Sequence, residues 1–143
     1  MTPALLLDTH IVLWLDSGDD RLRTETRSLI DGCWRAGGTI YLSAVTAWEI
    51  ALLGDAGRIE LDVSAARWIE RFLDRPGVVA APLSWRAACG AYDVTLLEHR
   101  DPADRLLIGT AIELACPMVT YDRRIANFAA NHGQRYGFST ATA

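Results

Sequence analysis

Short apolar runs alternate with helical patterns along this chain, and that alternation constrains its fold more than any other feature. The first run, residues 4–7, is continuous and ends at Asp8, which is typical of a strand buried on both faces. Three further runs, each introduced by glycine or proline, also predict strands: residues 39–42, 78–81 and 118–121.

Five segments between these runs have the spacing of helices and a residue suited to cap them. They cover residues 25–36, 44–53, 63–73, 85–96 and 102–115, capped by Thr24, Ser43, Asp62, Ser84 and Asp101. Strands that alternate with helices predict βαβ units. We therefore expect one α/β/α domain over residues 1–143, with a mainly parallel twisted sheet flanked by helices. The polar tail predicts at most a short edge strand near residues 135–138.

The charged residues exclude several kinds of chemistry. All 14 basic residues are arginine, so the chain has no lysine for a phosphate-binding loop, a Schiff base or a phosphorylated acidic pocket. The net charge of -4 also argues against the broad basic surface that is usual in nucleic-acid binders.

Hydropathy and cysteine usage indicate an ordinary cytosolic protein. No apolar run approaches the roughly 18 to 20 residues of a membrane-spanning helix, so we expect a cytoplasmic location and no membrane partner. Cys33, Cys89 and Cys116 are odd in number, widely spaced and set among apolar residues. That pattern favours small core side chains over disulfides or a zinc site.

Two aspartates stand where predicted strands end. Asp8 follows the first run and Asp122 follows the last. Ligands of open α/β sheets bind at the carboxyl ends of the strands, so both residues are candidates for a site. Aspartate at these positions also caps the following helix, which is the alternative explanation for each.

Glu49 belongs to an apolar helical segment. It falls on the row of Val45, Trp48 and Leu52, which has the spacing of a core-facing stripe, so we expect its carboxylate to point inward. A buried carboxylate must be protonated or meet a cation. An ion pair with one of the arginines is the structural alternative to a functional role.

Asp104 leads a similar row, with Leu107, Ile108 and Ala111. We expect it to face the core as well. An acid in the first turn of a helix is favourable in its own right, and this explains the residue type without a function. It does not explain why the acid lies on the inward row.

The four acids Asp8, Glu49, Asp104 and Asp122 form a pattern that their separate explanations do not predict. In one crevice they would repel one another unless a cation neutralised them. Carboxylate oxygens suit Mg²⁺ or Mn²⁺, whereas zinc would require His and Cys at spacings that are missing here. Without these four, 14 acids remain, equal to the 14 arginines. A loaded site would leave a nearly neutral protein that can approach phosphate.

Four sequence blocks, each containing one of these acids, resemble the PIN-domain family and in particular the VapC toxins of bacterial toxin-antitoxin pairs. The blocks are LDTH at residues 7–10, SAVTAWEI at 43–50, HRDPADRLL at 99–107 and VTYD at 119–122. The resemblance implies a ribonuclease whose acids Asp8, Glu49, Asp104 and Asp122 hold Mg²⁺ or Mn²⁺. It further implies a cognate antitoxin and a homodimer.

Water attacking in line on an RNA phosphodiester is the expected chemistry, with 5′-phosphate and 3′-hydroxyl products. Arg105, Arg123 and Arg124 are candidates for contacts to the RNA backbone, and Thr9 and Thr120 for holding water or phosphate. A degenerate family member that only binds a partner and a metal-dependent phosphatase are the alternatives. The phosphatase is disfavoured because the first strand is not followed by a D-x-D motif.

The tryptophans and histidines near the acids are explained by structural roles alone. Trp14 and Trp48 lie on apolar helical rows and are expected in the core, with a groove for a partner helix or a second copy as the alternative. His10 and His99 are expected to be polar loop residues rather than participants in the reaction.

Overall fold

The computed structural model describes residues 2–141, which form four strands and seven helices. Within that part of the chain, no helix has both the length and the apolar character that crossing a bilayer requires. The elements in chain order are β1 (Ala4–Leu7), α1 (Thr9–Ser17), α2 (Thr24–Arg35), β2 (Thr39–Ser43), α3 (Ala44–Asp55), α4 (Ala65–Leu73), β3 (Val78–Ala81), α5 (Trp85–Gly90), α6 (Pro102–Leu114), β4 (Met118–Val119) and α7 (Arg123–Tyr136).

The strands form one parallel sheet in the order β3-β2-β1-β4. The strands β1, β2 and β3 follow one another along the chain and lie side by side in that order, whereas β4 lies on the other side of β1. The direction of winding therefore changes between β1 and β4, and such a switch point opens a crevice at the carboxyl ends of the two strands. Asp8 and Asp122 follow these two strands.

Side chains of β1 alternate between two apolar layers. Leu5 and Leu7 pack with residues of α1, α2, α3 and α4, whereas Leu6 packs with residues of α6, β4 and α7. Each face of the sheet thus has its own core, as the continuous apolar run at the start of the chain predicts. The predicted α/β class, with a mainly parallel sheet between helices, is confirmed.

The sequence prediction missed α1 and α7, and β4 covers Met118–Val119 rather than residues 118–121. Two further predicted segments differ from the structure. The helix expected over residues 85–96 ends at Gly90. Beyond it, the carbonyls of Ala91 and Leu97 accept hydrogen bonds from the buried Arg105 guanidinium. The strand expected near residues 135–138 is wrong, because α7 continues to Tyr136. Chain pairing with β4 occurs slightly later, where Thr140 forms a parallel bridge to Met118.

Smaller corrections concern helix ends and exposure. Ser64 rather than Asp62 caps α4, since the Asp62 carboxylate pairs with Arg71. Thr24 is the first helical residue of α2 and not its cap. Cys33 and Cys116 are buried as predicted, but Cys89 is exposed.

Candidate metal centre

Two of the predicted acids lie at the switch point of the sheet and also cap the helices that follow. Asp8 Oδ1 accepts a hydrogen bond from Thr9 N at 2.7 Å, and its Oδ2 accepts one from Thr120 Oγ1 at 2.7 Å. Asp122 Oδ1 accepts from the first-turn amides of α7. Capping therefore fixes one oxygen of each carboxylate but does not neutralise its charge.

Glu49 faces inward from α3, but the row that was expected to carry it is wrong. Trp48 and Leu52 are 58% and 50% exposed, so they lie on the outer face of the helix. The inward face instead includes the buried Thr46 and Ile50. Glu49 Oε1 accepts a 2.6 Å hydrogen bond from Thr9 Oγ1, which ties α3 to the start of α1.

Asp104 lies in the first turn of α6, and the inward row predicted for it is confirmed. Leu107, Ile108 and Ala111 are all buried. Asp101 caps the helix by accepting hydrogen bonds from the amides of Ala103 and Asp104. The cap fixes the first turn of α6 and with it the position of Asp104.

All four predicted acids line one cavity of about 440 Å³, although they come from four separate parts of the chain. The remaining lining residues come mainly from α1 and the end of β4. They include three aromatic side chains, one exposed arginine and the cap of α6: His10, Trp14, Tyr121, Arg21 and Asp101. Convergence of the acids follows from the switch point and from packing of α3 and α6 beside it.

Burial and mutual repulsion make these carboxylates reluctant to ionise. Burial is the main cause that raises the pKa of Asp8 and of Asp104 above the ordinary value. The pKa of Glu49 is raised to about 7, first by burial and further by the negative charges of Asp8, Asp104 and Asp101. The Thr9 hydroxyl opposes this shift by stabilising the ionised form. The cavity is therefore short of positive charge.

The donor set fits a hard divalent cation. Among residues 2–141, no arginine forms an ion pair with Asp8, Glu49 or Asp104, so the structural alternative of a guanidinium partner does not apply to them. Within the same range, Glu49 Oε2 and Asp104 Oδ1 have no hydrogen-bond partner. Carboxylate oxygens are the ligands that Mg²⁺ and Mn²⁺ prefer. Among residues 2–141, however, no three of the four acids bring ligand atoms within 4.8 Å of one another, and the group that does so is His99, Asp104 and Asp122.

The arginines expected to contact RNA have different surroundings. Arg105 is only 5% exposed and donates to three main-chain carbonyls, so the prediction that it contacts RNA is wrong. Arg123 and Arg124 are exposed at the start of α7, and Arg124 Nη2 lies 3.8 Å from Asp122 Oδ2. Arg21 lines the acidic cavity and was not singled out by the sequence.

Sequence reasoning gave little weight to a further residue of this site. His99 was expected to be a polar loop residue, but it is buried and its Nε2 lies 2.5 Å from Asp104 Oδ2. The signal available in the sequence was its position five residues before an inward-facing acid. Thr9 and Thr120, expected to hold water or phosphate, instead donate to the carboxylates of Glu49 and Asp8.

A larger cavity adjoins the acidic one and shares three residues with it. It has a volume of about 730 Å³ and lies between α1, the end of α3 and α4. His10, Trp14 and Arg21 line both cavities. Two aromatic side chains and one arginine therefore lie between the acidic cavity and the larger one.

Known sequences match most of this chain. The model of the PIN domain family matches residues 5–131. Ribonuclease VapC22 from Mycobacterium tuberculosis is 29% identical to this chain over 121 residues, which make up 85% of this chain and 88% of that protein. All four acids lie within the matched family region.

Solved structures share the fold at low sequence identity. A chain from the crystal structure of VapBC2 from Rickettsia felis, bound to a DNA fragment from their promoter, aligns with a TM-score of 0.68 and 14% identity, over 96% of this chain and 97% of that chain. A chain from a toxin-antitoxin complex from Klebsiella pneumoniae aligns with a TM-score of 0.60 and 18% identity, over 95% and 96% of the two chains.

Proposed function

Because the chain belongs to the PIN domain family, we propose that it is a metal-dependent ribonuclease of the VapC toxin type. Its substrate is RNA, and its cofactor is Mg²⁺ or Mn²⁺ held by Asp8, Glu49, Asp104 and Asp122. The relative named as a ribonuclease supports the activity. The cavity at the switch point, with four acids and no arginine paired to the inner three among residues 2–141, is the observation that carries the proposal.

The protein's own groups position the reacting parts. A cation held by Asp8, Glu49, Asp104 and Asp122 would activate water and offset the negative charge that grows on the phosphate. Thr120 and Thr9 orient the Asp8 and Glu49 carboxylates through hydrogen bonds of 2.7 and 2.6 Å. Both donors are neutral, so they fix geometry without cancelling the charge that attracts a cation. No serine or cysteine nucleophile is required.

The adjoining cavity gives RNA a route to the acids. Single-stranded RNA is bound by aromatic faces that stack on bases and by arginines that meet phosphates. Trp14 and Tyr121 lie 5.9 Å apart between ring centroids, and Arg21 and Arg23 lie over them at 5.1 and 4.2 Å. Arg21 is paired with Asp19 at 2.8 Å, so an RNA phosphate would share or displace this ion pair.

A cognate antitoxin is the proposed protein partner, and a homodimer the proposed assembly, in the cytoplasm. Structural neighbours of this chain come from toxin-antitoxin complexes, which supports a partner of this kind. Trp48 and Leu52, exposed on the outer face of α3, offer an apolar surface for an antitoxin segment. We further propose that residues 1–143 make up one domain.

Cleavage assays with defined variants test the activity. Purified protein is incubated with a labelled RNA mixture in Mg²⁺, in Mn²⁺ and in chelator. We expect cleavage with either metal and none with chelator. We expect Asp8→Asn, Glu49→Gln and Asp104→Asn to reduce the rate by more than about a hundredfold. Glu70→Gln, an exposed acid on α4, is the matched control and should keep the wild-type rate.

The same assay separates the alternatives. A phosphatase would hydrolyse a simple aryl phosphate ester and leave RNA intact. A degenerate binding module would cleave neither substrate under any metal condition. RNA cleavage that persists in the three acid variants would refute the assignment of the site.

A further inference from the structure

His99 is a buried titratable side chain that the proposed chemistry does not use. It belongs to the loop between α5 and α6 and is 7% exposed. Its Nε2 lies 2.5 Å from Asp104 Oδ2 and 3.9 Å from Asp122 Oδ2, so the ring is inserted beside two of the acids. Its Nδ1 is buried and has no hydrogen-bond partner among residues 2–141.

The position of the imidazole proton follows from these contacts. Two lone pairs cannot face each other at 2.5 Å, so a proton lies between Nε2 and Asp104 Oδ2. If that proton belonged to the carboxyl group, Nδ1 would carry the ring proton at a buried position with no acceptor. An unpaired buried N–H is rarer in proteins than an unpaired acceptor. Nε2–H is therefore the donor and Asp104 Oδ2 the acceptor.

The loop that carries His99 is anchored by the residue next to Asp104. Arg105 Nε donates to His99 O at 3.0 Å, and its Nη1 and Nη2 donate to Ala91 O and Leu97 O at 2.9 and 2.7 Å. Because the guanidinium is buried, water cannot replace these hydrogen bonds, and breaking one would cost folding free energy. Asp104 and Arg105 are consecutive residues of α6, and both contact His99: Asp104 through the imidazole and Arg105 through the main-chain carbonyl. The position of His99 relative to Asp104 is therefore fixed.

We propose that His99 is a positioning residue, which fixes the Asp104 carboxylate through Nε2–H and leaves Oδ1 available to a cation. This inference rests on the proposed metal site. It completes a pattern in which Thr120 orients Asp8 and Thr9 orients Glu49. Groups that hydrogen-bond to metal ligands raise metal affinity by orienting them.

The same geometry argues against direct ligation by His99. Ligand atoms of His99, Asp104 and Asp122 all lie within 4.8 Å of one another, which is close enough to share an ion. Ligation through Nε2 would require the ring proton on Nδ1, where no described residue accepts it. Ligating histidines nearly always donate their other N–H to an acceptor. We therefore expect all-oxygen coordination.

Two substitutions separate positioning from packing. His99→Gln keeps an N–H donor near the place of Nε2, whereas His99→Leu fills similar volume without a donor. Mn²⁺ affinity is measured by electron paramagnetic resonance, without RNA. We expect His99→Leu to weaken binding by about 10- to 100-fold and His99→Gln to restore most of the loss. Thermal unfolding of both metal-free variants monitors the fold.

Nitrogen NMR of the metal-free wild-type protein tests the contact directly. We expect a proton on Nε2, and a downfield Nε2–H signal that changes in Asp104→Asn. A proton on Nδ1 would overturn the inference, as would Mn²⁺ affinity that is equal in wild type and His99→Leu, or equally weak in the Leu and Gln variants. A wild-type protein that binds no Mn²⁺ refutes the metal site itself, and the NMR result then decides alone whether His99 fixes Asp104.

Discussion

Without metal, the acidic cavity should make the protein less stable as pH rises, and Glu49→Gln tests this. The pKa of Glu49 is raised from 4.5 to about 7 in the folded protein. The folded state keeps this proton at pH values where the unfolded chain has already released it. The free energy of unfolding therefore falls as pH rises from about 4.5 to about 7. Gln cannot ionise but still offers an oxygen to Thr9 Oγ1.

The size of the effect follows from the two pKa values. A pKa of about 7 in the folded protein against 4.5 in the unfolded chain corresponds to a change of at most about 3 kcal/mol in the free energy of unfolding. Glu49 is only half-buried, so contact with solvent reduces this to about 1 to 2 kcal/mol. Asp8 and Asp104 add to the wild-type decline in the same direction, because their pKa values are raised too. The Glu49 contribution is thus the difference between wild type and variant.

Urea unfolding at pH 5 and pH 8 in chelator measures that difference. We expect wild type to lose about 1 to 2 kcal/mol more than Glu49→Gln between the two pH values. The exposed-acid control Glu70→Gln should lose as much as wild type. Adding Mn²⁺ at pH 8 should recover stability in wild type more than in Glu49→Gln. Identical pH dependence of wild type and Glu49→Gln would refute the view that this carboxylate is destabilised by its surroundings.

Three further expectations concern packing. Arg105→Met should lower the free energy of unfolding by about 2 to 4 kcal/mol, measured in urea, because three buried carbonyls lose their donor. Gly109→Ala should cost about 1 to 3 kcal/mol in the same assay, since its Cβ would overlap a main-chain oxygen of α5. A thiol reagent should modify the exposed Cys89 at once, and should reach Cys33 and Cys116 only on unfolding, because both are buried and burial raises the pKa of each thiol.

Local rules predicted the parts of the fold that depend on nearby residues. The apolar run before Asp8 gave a two-sided strand, and Ser43 and Asp101 cap the helices expected from them. The end of α5 at Gly90 was not predicted. The carbonyl of Ala91, just beyond it, accepts from Arg105, which lies fourteen residues further along the chain, and a local pattern contains no sign of such a distant contact.

The sequence predicted which acids line the candidate site, but not the contacts around them. Each acid stood out because a carboxylate occupied a strand end or an inward helical position. The row proposed for Glu49 was wrong because an apolar helix with an exposed Trp48 has no clear polar side to orient it. His99 was underestimated because its partner Asp104 is reached only when the loop after α5 folds back.

The acids Asp8 and Glu49 accept hydrogen bonds from neutral hydroxyl groups rather than from arginines. This choice of donors lowers folding stability but leaves the carboxylates available to a cation. A guanidinium would pair with a carboxylate permanently, whereas the hydroxyls of Thr9 and Thr120 orient Glu49 and Asp8 and leave their charge uncompensated. The nearby Arg105 donates instead to main-chain carbonyls. If a cation binds there as proposed, it would recover the free energy lost through unpaired charge, and metal affinity and folding stability should then rise and fall together across variants of these donors.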